Sequence, residues 1–427
     1  MPSPAASPAY RVPPLIKRNT ALFALAQSFT GAGMQFAYVL GPLMVVALTG
    51  SAALAGLSVG LIGLSRFLVS YPVGRVTDAY GRKPGILLGL VLALAGALIV
   101  GLSMSFDSFT VLCAGMLVFG MGMNAAQQLR VAATDMVPPS RRAQALGYVA
   151  LGSLLGLVIG PLVITGAESL APRIGHDPLG LPWLLLPGLI VSGMALVFFV
   201  RPDPKEIGMS LERYYPEYKP PPRREAPESA PFSIRGLLRS LPIRLAIVSN
   251  TAAQGNMSIV MVLTSLVLHH HGHSLSAIAF SHMFHAAGMF AFTIPLGMLA
   301  DRLGRSPVMY PGVATALVGA GLVAFTPSYW LITLGTFLVG LGWAAANVAA
   351  TAMIADHAPT PVRGRAIGLN DSFAGGIAVA MAIVTGPLIE WYGLPATGFV
   401  AMLVALPPLV MVVAVRMQQH AASGRPV

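Results

Sequence analysis

Cysteine is almost missing from this chain: Cys113 is the single one in 427 residues, which excludes an intrachain disulfide and any Cys-x-x-Cys metal clip. Acidic residues are scarce as well, 15 against 26 Lys and Arg, and charged side chains make up only 10% of the sequence. With 55% hydrophobic residues and a mean hydropathy of +0.74, so little charge cannot cover a water-soluble fold of this size. No Asp or Glu falls at the centre of a long apolar stretch; Glu168 and Glu390 sit at stretch ends, and Asp371 lies some way inside one. A carboxylate proton carrier within the membrane is therefore not evident. The Pro-rich start "MPSPAASPAYRVPP" also lacks the short apolar core of a cleaved signal peptide.

What is abundant is apolar length. A bilayer core of roughly 30 Å needs about 20 apolar residues per helical span. Twelve such stretches are predicted, near 20 to 48, 53 to 73, 85 to 105, 109 to 133, 143 to 168, 182 to 200, 242 to 270, 275 to 299, 307 to 326, 329 to 354, 364 to 391 and 395 to 416. The net charge of +11 would suggest nucleic acid in a soluble protein, but its placement says otherwise. If the first span starts in the cytoplasm, 23 of the 26 Lys and Arg fall in cytoplasmic segments or, as Arg244, Arg365 and Arg416 do, at the cytoplasmic ends of spans; Arg66 and Arg130 lie further within spans and only Arg173 lies outside. That is the positive-inside pattern, and it puts both termini in the cytoplasm. The basic charge reads as topology, the bilayer is the partner and no nucleic acid is expected.

The sequence divides into a cytoplasmic segment 1–19, a six-span bundle 20–200, a mixed-charge, Pro-rich linker 201–241, a second six-span bundle 242–416 and a tail 417–427. The halves repeat one another. "PVGRVTDAYGRKP" aligns with "PLGMLADRLGRSP" at an offset of 223, "FGMGMNAAQ" with "VGLGWAAAN" at 220, and "DMVPPSRRAQALG" with "DHAPTPVRGRAIG" at 221. A duplicated set of six helices implies two pseudo-symmetric bundles about a central site. The fold class expected is an all-α polytopic membrane protein of twelve transmembrane helices.

The repeated G-x-x-x-D-x-x-G-R element has a mechanical reading. Gly74 and Gly297 are expected to let helices approach closely, while Gly81 and Gly304 permit a tight turn. Asp78 with Arg82, and Asp301 with Arg305, can form charge-assisted bonds that latch a gate. Asp135 with Arg142, and Asp356 with Arg363, are expected to extend each latch. On these residues the chain resembles the major facilitator superfamily over nearly its whole length, since the motif matches the family's loop signature in both halves. The resemblance implies a secondary transporter and not an enzyme. A helix 5 element of antiporters, G-x-x-x-G-P, appears as "GLVIGP" at 156 to 161, but the glycine pair expected next is Ile164 and Thr165. The helix 4 arginine of many proton-coupled drug exporters would fall near Met116. Both departures argue against drug export.

Two further stretches carry chemistry. "MSIVM" pairs Met257 with Met261, and "HAAGM" pairs His285 with Met289. Methionine makes up 21 of 427 residues, so about one Met-x-x-x-Met pair arises from composition alone, and Met is an ordinary filler of irregular packing. Depth changes the weighing. Residues four apart share a helix face, and the seventh and eighth spans are antiparallel neighbours joined by a short turn. Counted from that turn, Met261 lies 9 residues down one span and His285 10 down the other, with Met257 and Met289 at 13 and 14. Three thioethers and an imidazole suit a soft monovalent ion such as Cu(I). Six of the nine histidines fall between 269 and 285. In the "HHHGH" turn, His269, His270, His271 and His273 can collect metal at the entrance or form a solvated polar turn. His282 is a relay ligand or a pore-facing polar group. Arg66 and Asp371 are the other intramembrane polar candidates, suited to orienting an organic substrate.

Met-x-x-x-Met in helix 7 with His-x-x-x-Met in helix 8 of such a chain resembles the CcoA-like copper importers, the CalT group. The resemblance implies import of copper into the bacterial cytoplasm for assembly of haem-copper oxidase. Met257, Met261, His285 and Met289 match the group's motif; copper is the substrate, no cofactor is permanently bound, and a cytoplasmic copper chaperone is the implied partner. Members often carry further cysteines, whereas this chain has Cys113 alone. The competing readings are a transporter of a small organic solute or drug, and a copper sensor that does not transport.

Overall fold

The computed structural model describes residues 11–138, 141–218, 233–358 and 362–423. The outer parts of both terminal segments and residues 219–232 of the linker lie outside the described residues. Those described form helices and short connections, with no strand among them. Helix is the outcome that lipid imposes, because in hydrocarbon each backbone N–H and C=O needs a partner within the segment.

The first half contains α1 (Pro14–Val39), α2 (Gly41–Thr49), α3 (Leu57–Tyr80), α4 (Arg82–Ser105), α5 (Phe109–Ala126), α6 (Gln128–Asp135), α7 (Arg142–Ile174) and α8 (Leu181–Phe198). Three short helices follow: α9 (Pro204–Met209), α10 (Leu211–Tyr214) and α11 (Ile234–Arg239). The second half contains α12 (Leu241–His270), α13 (Leu275–Ala291), α14 (Thr293–Leu303), α15 (Ser306–Phe325), α16 (Tyr329–His357) and α17 (Arg363–Ser423).

Ten helices among the described residues are long and apolar enough to cross a membrane, or eleven when α13 and α14, bent by 41°, count as one. The last candidate, 50 residues long, runs through Gly393, whose φ of 80° breaks it into two crossings. The twelve apolar stretches are thereby accounted for. The protein is an all-helical, multi-pass membrane protein.

Two compact units emerge. Unit 1 comprises Met1–Phe36 and Leu64–Arg224. Its buried centre sets the edges of Phe36 and Phe119 against Trp183, at ring separations of 5.9 and 5.0 Å. Unit 2 comprises Glu225–Val427 together with Ala37–Gly63. Tyr38 in that added segment accepts a 3.1 Å bond on its carbonyl from Ser265 Oγ. At its other end the Glu390 carboxylate accepts from Ala53 N at 2.7 Å and from Ser51 Oγ.

Part of the linker is built into unit 1. Asp203 accepts from the backbone N–H groups of Arg82 and Lys83 at 3.1 and 2.9 Å, which caps the start of α4. Ile207 is fully buried, and Tyr215 is buried with its hydroxyl 3.5 Å from the Met136 carbonyl. Burial pushes the Tyr215 hydroxyl up to about 12, against the opposing pull of Arg141.

Candidate functional site

Of the four proposed metal ligands, Met257 and Met261 lie buried on α12, and His285 is buried on α13. Met289, one turn on, is half-buried. The Ser274 side chain caps the start of α13 by accepting from Ala277 N at 3.2 Å, which fixes where the helix begins and hence which face carries His285.

The His285 ring is held from α16. Its Nδ1 stands 2.8 Å from the Thr336 carbonyl oxygen. A carbonyl only accepts, so Nδ1 carries the proton and the neutral ring presents its lone pair at Nε2. Nε2 is buried and finds no hydrogen-bond partner among the described residues. A metal-ligating imidazole is typically oriented in this way, with the other ring nitrogen fixed on a carbonyl or carboxylate. Close approach of the two helices makes the bond geometrically available: a Cβ on Gly340 would lie 2.2 Å from the His285 carbonyl oxygen, and one on Gly288 would lie 2.6 Å from that of Phe337. Only glycine fits at this crossing.

The residue beside Met261 is His282, whose Nε2 lies 3.4 Å from the Met261 carbonyl and 3.4 Å from Ser265 Oγ.

The histidine-rich segment forms no compact cage. His271 is engaged with the Val267 carbonyl at 2.8 Å, and the His273 ring meets that of Tyr329 at 5.1 Å between centroids, tilted by 51°. Rings of His270 and His271 meet edge to face at 5.8 Å. Among the described residues no three His, Cys, Asp or Glu side chains come together as a metal site. A metal centre here therefore has to draw on thioethers.

Both loop latches form, with a different membership from that expected. In unit 1, Arg82 Nε bonds Asp135 at 2.7 Å, while Arg82 reaches Asp78 only at 3.7 Å. In unit 2, Arg305 bonds Asp356 at 2.9 Å and also pairs with Asp301. These bonds raise the Arg305 guanidinium above its ordinary value, the Asp301 hydrogen bond foremost. Arg142 and Arg363 are exposed and form neither pair; Asp135 and Asp356 turn to the loop arginines because Arg82 and Arg305 project from the turns between them. Gly81 and Gly304 do take left-handed backbone, at φ of 108° and 96°. Gly74 and Gly297 do not serve as contact points, since a Cβ on Gly74 would meet nothing within 4 Å and one on Gly297 only Val348 at 3.8 Å.

Arg66 and Asp371 are both exposed, and Asp371 accepts from Asn370 Nδ2 at 3.2 Å. The more enclosed arginine is Arg130, which donates from Nη2 to Ser153 Oγ at 3.4 Å. In unit 2 a polar stripe also escaped the sequence reading: Trp343 Nε1 donates to Gln254 Oε1 at 2.7 Å, and Asn347 Nδ2 donates to Asn250 Oδ1 at 3.1 Å. These amides alternate with apolar residues on long helices, so no local motif marked them. The "GLVIGP" glycines serve packing within unit 1, with a Cβ on Gly156 falling 2.7 Å from the Ser28 carbonyl on α1.

Comparison with known proteins places these features in a family. The Major Facilitator Superfamily model matches residues 23–254 and 245–426. The chain is 28% identical over 404 residues to the uncharacterized MFS-type transporter YdeG of Bacillus subtilis (strain 168), covering 93% of this chain and 92% of the relative. It is 27% identical over 395 residues to the riboflavin transporter RfnT of Brucella anthropi, covering 88% and 90% respectively. Among solved structures, the nucleoside transporter NupG superposes with a TM-score of 0.69 at 12% identity, covering 94% of this chain and 98% of that one.

Proposed function

The chain belongs to the major facilitator superfamily, and from that premise we propose that it is a secondary transporter importing copper across a bacterial inner membrane by alternating access, with both termini in the cytoplasm. Met257, Met261, His285 and Met289 hold the ion in transit. The observation that carries this reading is the His285 ring: one nitrogen is locked on the Thr336 carbonyl, the other is buried without a partner, and two buried methionines lie on the adjacent helix. An unpaired buried acceptor costs about 1–3 kcal/mol, so its retention calls for a ligand. Neutral sulfur and nitrogen donors favour Cu(I) over hard ions. They also leave a monovalent charge uncompensated by any carboxylate, which lets it depart.

In this reading His269, His270, His271 and His273 raise the local copper concentration at the entrance, and His282 stands beside the path. Arg82 with Asp135, and Arg305 with Asp356, hold the loop ends of the two units. The delivered ion serves cuproenzyme assembly, with a cytoplasmic chaperone as recipient.

A second reading is favoured by the likeness to the riboflavin transporter. In it, the Gln254, Trp343, Asn250 and Asn347 stripe binds a flat organic solute while the methionines supply apolar contact. Equilibrium titration of the purified protein separates the two. Competition against a chromogenic Cu(I) chelator is expected to give one tight site, and His285→Phe to weaken it beyond the roughly 10–100-fold typical of an outer-shell change. Riboflavin binding that is insensitive to His285→Phe, with no copper site in the wild type, would establish the second reading instead.

A further inference from the structure

The end of α8 in unit 1 gathers more positive charge than helix capping requires. The last carbonyl of the helix and the two that follow it are each met by a cation: Lys83 Nζ donates to Phe198 O at 2.6 Å and Val200 O at 3.1 Å, and Arg18 Nη2 donates to Phe199 O at 3.0 Å. Such contacts complement the negative end of a helix. A third cation, Arg201, does not take part in this capping; its guanidinium lies over the Phe198 ring at 5.7 Å, and Lys83 Nζ lies over the same ring at 5.0 Å. Two cations thus share one aromatic ring.

The nearby carboxylate offsets only one of them, and its oxygens are committed to backbone. Asp203 spends Oδ1 on the backbone N–H groups of Arg82 and Lys205, and Oδ2 on that of Lys83. Three cations against one carboxylate leave the cluster with two positive charges in excess. Arg18 and Arg201 are exposed, and a guanidinium carries five donors in a fork that matches phosphate geometry. Beside them Phe198 and Phe199 are 53% and 58% exposed, with rings 6.0 Å apart. An apolar pair this exposed at a span's end belongs at the boundary between headgroups and acyl chains.

We infer that Arg18, Lys83 and Arg201 form a binding site for the phosphate of an anionic phospholipid, with Phe198 and Phe199 against its acyl chains. The site is independent of the copper reading, and it commits to lipid because free phosphate would gain nothing from the exposed rings. Bound there, the headgroup bridges α1, α4 and α8, and ties the start of α4 to the bilayer surface next to the Arg82–Asp135 pair.

The full chain, purified in mild detergent, is titrated with phosphatidylglycerol or phosphatidylcholine, and retained lipid is counted by native mass spectrometry. Wild type is expected to retain phosphatidylglycerol well above phosphatidylcholine, and Arg18→Gln with Arg201→Gln to lose about fivefold per cation removed, the factor for one basic residue at an anionic surface. Arg201→Lys, which keeps the charge, should retain most of the preference, and Arg213→Gln, in the polar arm, all of it. Thermal unfolding of each variant in the same detergent separates lost folding from lost binding. Equal retention of the two lipids by wild type, or an unchanged preference in the folded double variant, would overturn the inference. So would full displacement of phosphatidylglycerol by inorganic phosphate at equal concentration, which would mark a site for the free anion only.

Discussion

At the scale of single residues, the account turns on what His285 and its neighbours lose when altered one at a time. If Met257 and His285 share an ion, Met257→Leu and His285→Phe each spoil the site, and the double variant should cost less copper affinity than the sum of the two, since the second change removes a ligand from a site already lost. A packing role predicts additive, small losses, because Met→Leu conserves volume at a cost below about 1.5 kcal/mol. Titration of the three variants with Cu(I) distinguishes the outcomes. The four ligand candidates were legible because helical spacing shows on the sequence as residues four apart. The Thr336 carbonyl that orients His285 was not, since a backbone acceptor carries no residue signature and lies 51 positions away. That Arg130 is more enclosed than Arg66 was not legible either, because burial of one arginine over another is decided by which helix packs against it.

Among elements, the crossing of α13 on α16 positions the imidazole. Gly340→Ala would drive a methyl into the His285 carbonyl, 2.2 Å away, and force the helices apart. Overpacking of this kind costs about 1–3 kcal/mol. The variant should unfold at lower temperature in detergent and bind copper more weakly, whereas Gly74→Ala, facing open space, should do neither. The loop latches give a second ordering. Asp135 is 23% exposed and 2.7 Å from Arg82, while Asp78 is 79% exposed and 3.7 Å away. Asp135→Asn should therefore lose about 1.5–3 kcal/mol, as for a hydrogen bond to a charged group, and Asp78→Asn under about 1 kcal/mol, as for an exposed pair. Thermal unfolding of the two variants under one set of conditions tests the order; equal shifts would contradict it. The turn glycines Gly81 and Gly304 were legible from the motif because they need left-handed backbone. The bend between α13 and α14 at Phe292 went unread although Pro295, which has no N–H to give the Ala291 carbonyl, stands three residues on.

For the whole molecule, duplication was the most readable feature, because three paired segments at nearly constant offset survive even where the intervening helices have diverged. The grouping of Ala37–Gly63 with the second half was invisible, as it depends on tertiary contacts such as Ser265 to Tyr38 and Glu390 to Ala53. Composition hid the docking of the linker too: Asp203, Ile207 and Tyr215 are scattered through a polar, Pro-rich stretch, yet they fasten it to unit 1. What the chain carries is the central claim, and uptake of radioactive copper by proteoliposomes addresses it most directly. The account predicts uptake by wild type and severe loss in Met257→Leu and Met261→Leu reconstituted at equal density with wild-type thermal stability. Wild-type rates in both leucine variants would contradict it.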